Sequence, residues 1–304
     1  MKLMVFDVGG TEIKYSVMDD AMQRTDTGSV PTPMDTQEHF FDVLYGLYAP
    51  HKDEVEGIAM SLPGFIDAKA GVVRGGGALL YNIGTPVGPR LAEKCGCKVW
   101  LENDGKAAAL AEYKQGALQG CTNAAVFLIG TGVGGGVIVN GQLVRGIHGT
   151  AGEFSFVNVD ATSWEDPRKN MACQCSTTAL LAAYRAAKGL DETAPLDGRS
   201  FFAAVHAGEK EANDTLHSFA HMIAVQIYNL SVLLDVETVA IGGGISRQQI
   251  LIDSIRDDLN YIMDNHPAGK MIVGALPRPN VVACRFGNEA NQLGAVYSYL
   301  DAGL

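Results

Sequence analysis

Two glycine-rich stretches mark where chemistry is expected in this chain. The first is Val5-Phe6-Asp7-Val8-Gly9-Gly10-Thr11, leaving through the β-rich run Ile13 to Met18. The second is Val126-Phe127-Leu128-Ile129-Gly130-Thr131-Gly132-Val133-Gly134-Gly135-Gly136-Val137-Ile138-Val139. They align without a gap, so the chain writes one strand, glycine turn and strand unit twice, once in each half. Turns of this kind expose backbone N–H groups with no side chain in front of them, which suits phosphate oxygens. A third candidate is Asn103-Asp104, between an apolar strand pattern and an alanine-rich helix pattern. Asp104 at a helix start is also what a simple N-cap looks like. Two phosphate-type hairpins shift the balance, because phosphoryl transfer needs an acceptor for the attacking hydroxyl's proton, and Asp104 is the candidate base.

The same glycines satisfy the dinucleotide pattern at Gly130, Gly132 and Gly135. That pattern requires a helix directly after the turn, whereas Val137-Ile138-Val139 is strand-like. The spaced glycines, lysine and serine or threonine of a P-loop are absent from both copies.

The elements that must position these residues follow from periodicity. The first half predicts a hairpin over 2–8 and 13–18, a helix over 36–51, a buried strand over 57–61 turning at Leu62-Pro63-Gly64, and a glycine loop at 75–77. A helix over 89–95, a strand over 98–101 and a helix over 104–115 follow. The second half predicts a polar loop over 145–170 and helices over 177–188, 201–206 and 211–234. A strand over 238–241 ends at Gly242-Gly243-Gly244; a helix over 248–265, a strand over 281–285 and a closing helix over 289–300 complete it. The class is mixed α/β in two related halves.

The chain has 304 residues, 47% hydrophobic and 19% charged, enough for two cores and unlike a disordered protein. No apolar run reaches membrane-spanning length, and no signal-like segment precedes the first strand, so a cytoplasmic protein without membrane contact is expected. Six scattered cysteines read as reduced thiols. Net charge is 23 − 34 = −11 with no basic cluster, which argues against nucleic acid as a partner.

Five segments in order carry a resemblance: Asp7 to Lys14, Leu101 to Ala109, Gly130 to Gly141, Gly149-Thr150-Ala151-Gly152-Glu153, and Leu234 to Gly244. Together they resemble the ROK family of sugar kinases and sugar-responsive repressors. The resemblance implies an actin-like ATPase (ribonuclease H-like) fold: two related α/β domains around a hinged cleft, residues 1–117 with 289–304 forming one and 118–288 the other. It implies ATP and Mg²⁺ as cofactors, a small-molecule sugar as substrate, and a homodimer. By position, Asp7 orients the metal through water; Gly9, Gly10, Thr11, Gly130, Thr131 and Gly132 hold phosphates; Gly242, Gly243 and Gly244 border the adenosine. Gly64, Asn103 and Glu153 bind sugar hydroxyls, and Asp104 takes the proton from the attacking one, expected to be O6. A repressor of the family carries a DNA-binding module ahead of the first hairpin, and this chain reaches Asp7 after six residues, so a kinase is expected rather than a repressor. A catalytically silent sugar sensor is the non-enzyme alternative.

Departures from the family pattern narrow the expectation. Phe156 stands where the family has a histidine, Leu180 at its third zinc-binding cysteine, and Ala182 at its closing glutamate. Two thiols, Cys173 and Cys175, cannot make a four-ligand structural zinc shell, so none is expected. In free-hexose kinases of the family that histidine and glutamate bind the hydroxyls at C1 and C2. Their loss points to a hexose substituted at C1, a β-glucoside, with a free-hexose kinase of glucokinase or fructokinase type as the alternative. Lys106 replaces the family's usual asparagine and has no account from sequence.

Overall fold

The computed structural model describes residues 1–191, 193–271 and 273–304. In chain order the elements are β1 (Lys2–Val8), β2 (Glu12–Asp19), β3 (Arg24–Pro31), α1 (Gln37–Tyr48), β4 (Gly57–Leu62), β5 (Phe65–Asp67), β6 (Val72–Gly75), α2 (Val87–Cys95), β7 (Lys98–Asn103) and α3 (Asp104–Gln115). They continue with β8 (Ala124–Ile129), β9 (Val133–Val139), β10 (Gln142–Leu143), α4 (Met171–Gln174), α5 (Thr177–Lys188), α6 (Gly198–His206) and α7 (Lys210–Leu234). The last are β11 (Thr238–Gly242), α8 (Gln249–Asp264), β12 (Asn280–Ala283) and α9 (Ala290–Asp301).

The chain divides into two compact units. One holds Met1–Gln115, Leu143–Gly152 and Asn288–Leu304; the other holds Gly116–Gln142 and Glu153–Gly287. The segment Leu143–Gly152 is the notable difference from a division made on sequence, which keeps 118–288 whole. It packs with the first unit although the chain on both sides of it belongs to the second.

Each unit is built on a five-stranded sheet of the same plan. The first runs β3-β2-β1-β4-β7, and the second β10-β9-β8-β11-β12. In the first, β1 and β2 are antiparallel while β1, β4 and β7 are parallel. In the second, β8 and β9 are antiparallel while β8, β11 and β12 are parallel. The central strands are fully covered; every residue of β4 and β11 is buried, which is why they read as continuous apolar runs rather than as alternation. β3 is an edge strand whose exposed polar residues give no apolar signal, so sequence periodicity misses it. The core of the first unit gathers Phe6, Ile13, Phe40, Leu44, Met60, Val87 and Leu101 beneath α1 and α2. α1 starts at Thr36, whose side chain accepts from the His39 N–H, an N-cap typically worth about 1 kcal/mol. Among the described residues no helix is long and apolar enough to cross a membrane.

Candidate active site

In the first unit the candidate side chains sit at the carboxyl ends of adjacent parallel strands. Register places Asp7 of β1 beside Ser61 of β4, and Ser61 beside Glu102 of β7, so the three occupy one row across the sheet. Asp7 is 8% exposed, and its Oδ1 accepts from Ser61 Oγ at 2.8 Å and Asn291 Nδ2 at 3.0 Å. The turn after β1 carries Gly9, Gly10 and Thr11; Gly9 N–H bonds Glu12 O at 2.9 Å, and Thr32 Oγ1 donates to Gly9 O at 2.7 Å. That leaves Gly10 and Thr11 exposed at the tip.

β7 ends at Asn103, and α3 begins immediately with Asp104. Asn103 is 6% exposed and organises the junction. Its Nδ2 donates to Gly64 O at 3.0 Å and to Asp104 Oδ1 at 2.9 Å, and its Oδ1 accepts the Lys106 N–H at 3.0 Å. Asp104 Oδ1 also accepts the Gly105 N–H at 2.8 Å, so one carboxylate oxygen is held by two donors. Gly64 has φ +110°, and a Cβ there would lie 2.7 Å from Gly75 O, so only glycine fits between this turn and the glycine loop of 75–77. Gly64, Asn103 and Asp104 are thus brought together by direct contacts. The Lys106 side chain is fully buried in α3, behind the same junction.

The second unit assembles another cluster. The β8–β9 turn is closed by Gly130 N–H to Gly132 O at 3.0 Å, and β9 follows it directly, which removes the dinucleotide reading. The first turn of α5 abuts this hairpin: Thr177 N–H donates to Gly130 O at 2.9 Å, and Ser176 caps the helix by accepting from Ala179 N–H. Gly130, Thr131, Thr177, Thr178, Arg199, Gly244 and Gln248 line a cavity of ≈ 620 Å³. Gly242 closes β11, and Gly243 and Gly244 follow it. Thr177, Thr178, Arg199 and Gln248 were not expected from sequence. Thr177 and Thr178 lie in the run Ser176-Thr177-Thr178, where Ser176 is the N-cap of α5.

Glu153 begins the second segment of the second unit and precedes a short 3₁₀ turn, Phe154–Phe156, whose Phe154 ring packs edge-on against Phe127 at 4.5 Å. The Phe156 ring remains 65% exposed, and Ala182 is exposed on α5. Leu180, at the position of the family's third cysteine, is fully buried. Cys173 is exposed; Cys175 is buried, and burial pushes its thiol up to about 12.

Comparison with known proteins agrees with this arrangement. The family model of the ROK family matches residues 4–301. The β-glucoside kinase of Klebsiella pneumoniae is 30% identical over 303 residues, covering 98% of this chain and 96% of that protein. The N-acetyl-D-glucosamine kinase of Vibrio vulnificus is 27% identical over 311 residues, covering 96% and 97%. A ROK family glucokinase from Streptomyces griseus, solved with glucose and AMPPNP, superimposes with a TM-score of 0.76 at 26% identity, covering 97% of this chain and 98% of that one. With two α/β units of one plan and a family match running almost end to end, the chain belongs to the ROK family and has its actin-like ATPase fold.

Proposed function

We propose that this ROK protein is an ATP-dependent kinase that transfers the γ-phosphate to the 6-hydroxyl of a β-glucoside, with Asp104 as general base. The observation that carries the reading is the Asn103-Asp104 junction. Asp104 Oδ1 accepts from the Asn103 Nδ2 and Gly105 N–H donors, which fixes the carboxylate at the strand–helix junction. The substrate hydroxyl loses its proton to the Asp104 carboxylate as its oxygen bonds the γ-phosphorus; the bond to the bridging oxygen breaks, and ADP leaves with that electron pair. Asn103 has both amide hydrogens committed and one acceptor position of Oδ1 used, so it meets the sugar as an acceptor. Gly64 and Glu153 supply further contacts to sugar hydroxyls.

Gly9, Gly10, Thr11, Gly130, Thr131 and Gly132 receive phosphate oxygens, and the cavity bordered by Gly244 takes the adenosine, with Gly242 and Gly243 behind it. Asp7 suits a hard divalent cation, since its carboxylate is fixed by two neutral donors and offers oxygen alone. Mg²⁺ would be oriented there together with the ATP phosphates and, when bound, neutralises phosphate charge.

The β-glucoside preference is supported by Phe156 and Ala182, which offer no hydrogen bond to a free anomeric hydroxyl, and by the K. pneumoniae relative. A free amino sugar is the second reading, favoured by the V. vulnificus relative. General-base catalysis is typically worth ~10²–10⁴ in rate, so Asp104→Asn is expected to lower kcat within that range and to leave sugar affinity nearly unchanged. Steady-state kinetics with a sugar-binding titration checks this, and wild-type turnover in the variant rejects Asp104 as base.

A further inference from the structure

Glu102 precedes the proposed base by two residues and is fully buried, yet it is a carboxylate. Its Oε2 accepts from Arg145 Nε at 2.7 Å and Ser298 Oγ at 2.8 Å, and its Oε1 accepts the Asn103 N–H at 3.1 Å. Ser298 Oγ in turn accepts from Trp100 Nε1 at 2.7 Å and from an Arg145 terminal nitrogen at 3.0 Å, which fills the hydroxyl's capacity. A buried charge costs several kcal/mol unless paired and hydrogen-bonded, and here it is both. An isolated carboxylate placed for packing would not need three partners from three separate parts of the chain.

Those parts explain its location. α9 carries Asn291 and Ser298 seven residues apart, which at 1.5 Å per residue is about 10.5 Å. β1 and β7 are two strand spacings apart in the sheet, or about 9.6 Å. α9 therefore spans the row Asp7, Ser61, Glu102, with Asn291 bonded to the first and Ser298 to the last. Arg145 belongs to the segment Leu143–Gly152, which enters the first unit and then leads directly into Glu153. Gly149 fastens that segment a second time: with φ +77°, a Cβ there would stand 2.1 Å from Ile66 O.

Resting on Asp104 as base, we infer that Arg145 and Glu102 are a positioning pair for the reaction. Together with Ser298 they lock the strap Leu143–Gly152 to the strand end that delivers Asn103 and Asp104. Neither residue touches the reacting atoms; Glu102 acts through the Asn103 peptide, and Arg145 through Glu102. The nucleotide contacts proposed at Asp7, Gly9, Gly10 and Thr11 have hydrogen-bond partners other than this pair, and the remaining ones lie in the second unit, so loss of the pair should appear in kcat and in sugar KM and spare ATP KM.

The test is Arg145→Met, assayed beside wild type with ATP and sugar varied separately and with a thermal melt to confirm folding. Misplacing reacting groups by about 1 Å typically costs ~10²-fold, so kcat is expected to fall by about that factor while ATP KM holds. Adding Glu102→Gln to the same chain removes the uncompensated buried charge and is expected to recover about tenfold of the lost turnover. Should Arg145→Met fail to fold, Ser298→Ala, which removes one donor to Glu102, is expected to lower kcat with ATP KM unchanged. Wild-type kcat in a folded Arg145→Met, or in Ser298→Ala where that variant is needed, overturns the inference, as does a double variant no faster than Arg145→Met. Inactivity of the wild type on every sugar would instead remove the kinase reading beneath it.

Discussion

Phe156 holds 65% of its surface in solvent directly after the segment that carries Glu153. An aromatic face stacked on a second ring is worth about 0.5–1.5 kcal/mol, so Phe156→Ala is expected to lower kcat/KM for an aryl β-glucoside by about 2–12-fold. Turnover of glucose by the same variant should barely change. Equal losses on both substrates would mean that the ring supports the local fold rather than the aglycone. At this scale the candidate residues read from sequence lie in local motifs: Asn103-Asp104 where a strand meets a helix, and Asp7 and Glu153 within segments that carry the family resemblance. It concealed those whose importance is non-local. Asn291 bonds a residue 284 positions away, and Ser298 one 196 positions away; no periodicity encodes such pairs. Lys106 shows the same limit, since only the fold reveals that its side chain is fully buried.

Among the elements, the α4–α5 segment bears on metal content. Cys173 is exposed, Cys175 is buried with its thiol raised to about 12, and buried Leu180 follows in α5. A structural zinc requires four ligands with its cysteines as thiolates, and burial opposes thiolate formation at Cys175. Metal analysis of untagged protein is therefore expected to return far less than one zinc per chain; a full equivalent, lost on Cys173→Ser, would contradict this. Helix positions were legible because α1, α5, α7 and α8 each present an apolar face and two of them have a cap or glycine stop: Thr36 before α1, Ser176 before α5, and Gly189 after it in the left-handed conformation. The long α7 needed no such signal, since its apolar pattern persists over 25 residues. β3, β5 and β6 were missed because an exposed edge and two short strands supply too few buried residues to make a pattern.

Across the whole molecule, one sheet plan is used twice, and each copy begins with the repeated hairpin from which the fold could be anticipated. The strap Leu143–Gly152 could not be anticipated, because its membership in the first unit depends on Arg145 meeting Glu102 and on Gly149 meeting Ile66, contacts between distant parts of the chain. A site that hydrogen-bonds a hydroxyl rejects analogues lacking it, whereas an apolar opening admits a substituent in its place. The central claim therefore rests on kcat/KM with ATP and Mg²⁺ for cellobiose and an aryl β-glucoside beside glucose, mannose, fructose, N-acetylglucosamine and N-acetylmannosamine. ATP-dependent phosphorylation is expected, with a β-glucoside preferred by at least about tenfold, or about 1.4 kcal/mol in transition-state binding. A free sugar preferred by that margin would contradict the β-glucoside assignment, and no turnover of any of them would contradict the kinase.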